Sequence, residues 1–199
     1  MSIEATPDPQ VEQPATFAFN AENTAKIPAI IAKFPAGKQQ SATLPLLWLA
    51  QYQHGWLPTA AMDCVADMLG MPRIKVYETA SFYTMFKRKP VGRHNIQVCT
   101  TTPCWLRGSD SITKACKDKL GIGFGDTTAD GKFSMEEVEC LGACCNAPMV
   151  QINDDVYEDL TADAIVAIID TLAAGKQPKT GSQQGRKGSE PAPVKDVVF

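Results

Sequence analysis

Residues 98–105, VCTTTPCW, and residues 139–148, ECLGACCNAP, decide how the rest of this 199-residue chain is read. Each carries a cysteine pair: Cys99 and Cys104 as C-x4-C, then, 35 residues on, Cys140 and Cys144 as C-x3-C. Four thiols in two short clusters point to zinc or iron–sulfur rather than to acid–base chemistry. A 2Fe–2S centre takes two thiolates per iron, which suits two pairs on two loops. A tetrahedral zinc site accepts the same four groups, but the gaps here are wider than the usual C-x2-C and favour iron–sulfur. Spacing leaves open whether Cys140 pairs with Cys144 or Cys145. In an extended segment neighbouring side chains point to opposite sides, so only one of the two faces the centre. His54 and His94 fall in no Rieske pattern and read as ordinary polar residues, while Cys64 and Cys116 sit on apolar helical faces as small core residues.

Outward from the first pair, His94, Ile96 and Val98 alternate with Asn95, Gln97 and Cys99, the signature of a strand. A helix follows with Ile112, Cys116 and Leu120 on one face and Gly121 as its stop. GIGFGD (121–126) lacks G-x-G-x-x-G spacing and reads as a turn. Phe133 to Glu139 is a second strand. Met149 to Ile152 and Val156-Tyr157 flank Asn153-Asp154-Asp155 as a hairpin. Thr161 caps a last helix whose apolar face holds Ile165, Ile168, Ile169 and Leu172. The order β-α-β-β-β-α describes residues 90–174 as a mixed sheet covered by helices. Upstream, residues 17–89 are helical. Ile27, Ile30, Ile31 and Phe34 share a face, although Pro28 limits where that helix begins. A second helix runs from about Leu44, through Leu47 and Trp48, to His54-Gly55. A third runs from Thr59 to Gly70 around Met62, Val65, Ala66 and Leu69, and a short fourth starts at Pro72 and passes through Ile74 and Tyr77. Four short helices with brief connections suggest a small antiparallel bundle, and the whole chain is α+β. Residues 1–16 are expected to be a flexible lead and residues 175–199 an extended tail ordered only against a partner.

Bulk properties exclude several functions. A net charge of −3 with mostly dispersed basic residues speaks against nucleic acid. The local groups Lys87, Arg88, Lys89 and Arg93, and Lys176, Lys179, Arg186 and Lys187, read as solvated surface. Seven cysteines, an odd number, without a secretory leader indicate a reducing compartment and no disulfide framework. No stretch reaches the ~18 consecutive apolar residues needed to span a bilayer, so direct membrane insertion is not expected. Walker A, flavin and nicotinamide fingerprints and a Ser/His/Asp arrangement are all missing. A redox centre without a substrate site passes electrons between other sites. Backbone N–H groups of Thr100–Thr102 and Gly142–Ala143, with the threonine hydroxyls, are placed to stabilise sulfur anions and tune the potential.

VCTTTPCWLRG and VECLGACCNAPMVQINDDVYEDLT, with LPLLWLAQYQHGWLP and VYETASFYTMFKRKPVG upstream, closely resemble the 2Fe–2S E subunits of NADH:quinone oxidoreductase, respiratory complex I. The resemblance spans about residues 17 to 180. It implies a helical segment followed by a thioredoxin-like 2Fe–2S ferredoxin domain. By the motif C-L-G-x-C it implies that Cys99, Cys104, Cys140 and Cys144 are the ligands and that Cys145 is a local departure. It further implies a subunit of the oxidoreductase with no NADH or quinone site of its own. Its electrons exchange singly with the FMN of the NADH-oxidising partner, among other peripheral-arm subunits. The setting is the cytoplasmic side of a bacterial inner membrane, or the matrix side in a mitochondrion. The same residues suit a diaphorase subunit of a NAD-linked hydrogenase or formate dehydrogenase. A soluble 2Fe–2S carrier, less suited by the attached helices, and a zinc-stabilised interaction module complete the alternatives. Removal of residues 176–199 is expected to spare the cluster and loosen partner assembly.

Overall fold

A computed structural model describes residues 11–187. The chain divides between Val91 and Gly92 into two compact units, each with its own core. The first is helical: α1 Ala21–Ile31, α2 Thr43–His54, α3 Thr59–Leu69 and α4 Arg73–Phe82. Asn20 caps α1, its side-chain oxygen accepting from the Asn23 N–H at 2.8 Å. Pro28 lies inside α1 rather than limiting its start, because the cap fixes the first turn and only one turn follows the proline. Pro45 stands in the first turn of α2, where its missing N–H costs nothing, and Gly55 and Gly70 close α2 and α3 in the left-handed region. Leu46, Leu47, Ala61, Val65 and Val76 are fully buried at the centre. Buried Gln51 ties the segment after α4 to α2, donating to the Met85 carbonyl and accepting the Lys87 N–H.

Part of the expected flexible lead is held in place: Gln13 accepts the Thr59 N–H at 3.0 Å, satisfying a donor that the first turn of α3 leaves free. Residues 1–10 of that lead, and residues 188–199 of the expected tail, lie outside the described residues.

The second unit is a five-stranded sheet in the order β2-β1-β3-β4-β5. Its strands are β1 His94–Cys99, β2 Phe133–Val138, β3 Val150–Ile152, β4 Asp155–Glu158 and β5 Gly181–Ser182. β1 runs parallel to β2 and antiparallel to β3, β3 is antiparallel to β4, and β4 is parallel to β5. Two helices, α6 Ser109–Leu120 and α7 Ala162–Ala173, pack on each other. Their apolar faces (Ile112, Cys116, Ile165, Ile169) meet Ile96, Val98, Met135 and Ile152 of the sheet in one core. Thr161 caps α7 through the Ala164 N–H. The β3–β4 connection is two residues, with Asn153 at φ 55° and its side chain bonded to the Asn95 N–H and the Arg93 carbonyl. Gly92 enters β1 so close to β2 that a Cβ there would lie 2.6 Å from the Phe133 carbonyl carbon.

Several short elements escape the sequence pattern, among them the 3₁₀ turn Gln39–Ala42 before α2. A five-residue helix, α5 Thr102–Leu106, precedes α6, and the two-residue β5 adds a strand beyond α7. The tail from Gly175 is therefore not ordered only against a partner: as far as Arg186 it bonds to its own unit, pairing with β4 and bonding to Asp159. Such short elements are set by tertiary contacts and leave no periodic trace.

Candidate metal centre

The parallel register that pairs Cys99 with Val138 brings the ends of β1 and β2 side by side, and each strand runs directly into one cysteine cluster. Cys99 is the last residue of β1 and is buried. The chain turns at Thr100, whose hydroxyl donates to Glu137 at 2.7 Å, and enters α5 at Thr101. Pro103 is tolerated in this first turn because its N–H would be unpartnered there. Thr101 occupies the N-cap position, yet its hydroxyl caps nothing and lies 3.2 Å from the Cys99 Sγ. α5 turns Cys104 inward, where it packs with Cys99, Ala147 and Met149 in a small buried cluster.

The second pair sits at the surface. Cys140 and Cys144 face each other with their sulfurs 3.1 Å apart. Gly142, at φ 90°, turns the loop so that its N–H donates to the Cys140 Sγ at 3.4 Å. Cys144 opens a 3₁₀ turn, Cys144–Asn146, so an extended backbone at Cys144-Cys145 is not what forms. Within that turn Cys145 is exposed, while Cys144 is paired with Cys140 and lies within electrostatic reach of Cys99 and Cys104.

The electrostatics link all four thiols. Burial pushes the Cys104 thiol up to about 12, with the contact to Cys99 and the proximity of Cys144 adding to it against the Met149 N–H, which favours the thiolate. Cys140 is lowered by its contact with Cys144, by the Gly142 N–H and by the Thr101 hydroxyl. Cys144 is raised by its contact with Cys140, then by burial and by Cys140 and Cys99. A positive centre bound here removes the reason the crowded thiols keep their protons, so metal uptake releases protons. Among the described residues no three His, Cys, Asp or Glu side chains gather as ligands of a single ion. A two-iron centre drawing two thiolates per iron does not require it. The donor set fits a 2Fe–2S cluster: four sulfurs as two pairs, one buried and one of exposed Cys140 with half-buried Cys144, with Gly142 and Met149 N–H groups and the Thr101 hydroxyl aimed at sulfur.

The other cysteines stand apart from this arrangement. Cys116 is buried in the α6 face, its thiol pushed up to about 12 by burial, and Cys64 is half-buried on α3. His94 opens β1 against the Phe133 ring. Arg186, read from sequence as solvated surface, instead pairs with the buried Asp159 and donates to the Cys145 carbonyl. A lone arginine in a Gly/Ser-rich run gave no signal of this.

A family model described as thioredoxin-like 2Fe-2S ferredoxin matches residues 27–173. The NADH-quinone oxidoreductase E subunit of Rickettsia bellii is 60% identical over 157 residues, 78% of this chain and 94% of that protein. NADH dehydrogenase (ubiquinone) flavoprotein 2, mitochondrial, of Dictyostelium discoideum is 53% identical over 175 residues, 87% of this chain and 71% of that protein. Among solved structures, a NAD+-reducing NiFe-hydrogenase in the H2-reduced state superposes with a TM-score of 0.57 at 25% identity. The match covers 65% of this chain and 22% of the hydrogenase chain.

Proposed function

This chain belongs to the thioredoxin-like 2Fe–2S ferredoxin family, and from that premise we propose that it is the electron-transfer subunit of an NADH–quinone oxidoreductase. Cys99, Cys104, Cys140 and Cys144 are the proposed ligands of its 2Fe–2S cluster. When bound, such a cluster supplies reversible one-electron exchange. The observation that carries this reading is the convergence of the two thiol pairs at the ends of β1 and β2, with N–H and hydroxyl donors aimed at the sulfurs.

The chain's own residues would divide the work. Cys99 and Cys104 grip from the protein side, where Met149 and Ala147 exclude water. Cys140 and Cys144 grip from the solvent side, where the exposed Leu141 between them offers apolar surface to a neighbour. The proposed neighbour is the FMN- and NADH-binding protein of the complex, with other peripheral-arm subunits around it. No helix among the described residues is long and apolar enough to cross a membrane. Attachment is proposed to run through the complex, on the cytoplasmic face in a bacterium or the matrix face in a mitochondrion.

A second reading, as part of a diaphorase, is supported by the likeness to the NAD+-reducing hydrogenase. The higher identity to the oxidoreductase subunits favours the first. Anaerobic purification with assay of iron, acid-labile sulfide and zinc tests the site. Two irons and two sulfides per chain, with a paramagnetic signal on reduction, are expected; zinc without sulfide would leave only a structural clamp. Co-purification of quinone-reducing or hydrogenase activity separates the two complexes.

A further inference from the structure

The Cys144–Asn146 turn is held by a part of the chain that supplies no ligand. β5 delivers Ser182 beside Glu158 of β4, next to Asp159. The Ser182 hydroxyl donates its one proton to Asp159 at 2.6 Å and accepts the N–H groups of Gln184 at 3.2 Å and Arg186 at 2.9 Å. Its hydrogen-bonding capacity is used in full. The Asp159 side chain is 1% exposed, and its second oxygen accepts from Arg186 Nη1 at 2.8 Å. Arg186 Nη2 donates to the Cys145 carbonyl at 2.8 Å. The Asp159 N–H, in turn, donates to the Asn146 carbonyl at 2.7 Å. Both carbonyls that follow Cys144 are thus fixed from Asp159, that of Asn146 by its backbone N–H and that of Cys145 through the arginine paired to its carboxylate.

We propose that residues 181–186 form a clasp on the cluster loop, in which Arg186 is the positioning residue that holds the Cys144–Asn146 turn, and with it the Cys144 sulfur, in ligating position. The proposal rests on the assignment of Cys144 as a cluster ligand. Asn146 is held independently, its side-chain amide donating to Glu158 at 2.7 Å and its carbonyl accepting from the Asp159 N–H. At Cys145, the residue next to the Cys144 ligand, the bond that holds the backbone is the one from Arg186. A guanidinium reaches two acceptors in one plane, which the point charge of a lysine does not reproduce. The clasp predicts the opposite of a spared cluster when residues 176–199 are removed, because that deletion takes the clasp with it.

The test uses the full chain, as wild type, Arg186→Lys and Arg186→Gln, loaded anaerobically and challenged with an iron chelator while the visible absorption decays. Amide hydrogen exchange at Asn146 and Ala147 is followed in the cluster-free chains, and thermal melts report folding. Arg186→Lys keeps the charge beside Asp159 and is expected to melt like wild type. It should nevertheless lose its cluster roughly tenfold faster, with faster exchange at both amides, for want of one charge-assisted hydrogen bond. Arg186→Gln should lose it at least as fast. Wild-type retention together with unchanged exchange in Arg186→Lys would overturn the clasp. If the wild-type chain takes up no iron and sulfide, the proposed function falls. The exchange comparison then decides the clasp alone, faster exchange upholding it and unchanged exchange removing it.

Discussion

Thr101 stands where a helix cap belongs and spends its hydroxyl on sulfur instead. A donor to sulfur favours the reduced, more negative state, so Thr101→Val should lower the midpoint potential. One neutral hydrogen bond corresponds to roughly 20–60 mV for a one-electron couple. A redox titration checks it, and an unchanged midpoint would remove the hydroxyl from the account. Serine at Cys99, Cys104, Cys140 or Cys144 should weaken or abolish iron and sulfide binding, whereas Cys145→Ser should leave both near the wild-type level. Retention in Cys144→Ser with loss in Cys145→Ser would reverse the assignment of the second pair. The two clusters of cysteines were legible from spacing, because gaps of three and four residues are a local property of the sequence. The choice between Cys144 and Cys145 was not legible from spacing, because it depends on a 3₁₀ turn rather than on the alternation of an extended segment.

Elements with strong local signals read well from sequence. The α3 bounds at Thr59 and Gly70, the Asn153 hairpin and the Thr161 cap each rest on chemistry confined to a few neighbouring residues. α5 and β5 were missed, since five and two residues are too few to show a period. Gly92 belongs to the same scale: its importance lies in the approach of β2, which no local pattern reveals. Gly92→Ala forces a Cβ against backbone that cannot swing aside. It should destabilise the second unit by roughly 1–3 kcal/mol, as overpacking does, measured as a lower urea midpoint at unchanged slope. Wild-type stability in that variant would mean that the β1–β2 entry shifts freely.

Across the whole molecule, the four thiols, their hydrogen-bond donors and the clasp all fall on one side of the Val91–Gly92 boundary. A chain comprising residues 92–199 should therefore take up iron and sulfide in the same ratio as the full chain, within about a factor of two in yield. Its failure to load while remaining folded would assign the helical unit a part in the centre. The helical unit was legible as helices from its glycine stops and apolar spacing. What it does for the protein was not, since a bundle's periodicity reports its buried faces and not the use of its exposed ones.

Arg186 also has a meaning in time. Synthesis proceeds from the N-terminus, so the ribosome delivers all four thiols before the arginine that fastens their loop. A donor of iron and sulfide that reaches the chain during translation meets a loop still free to open. One that comes after release meets a loop already fastened. On the proposed clasp, loading before Arg186 folds back is the easier route, and loss afterwards the harder one.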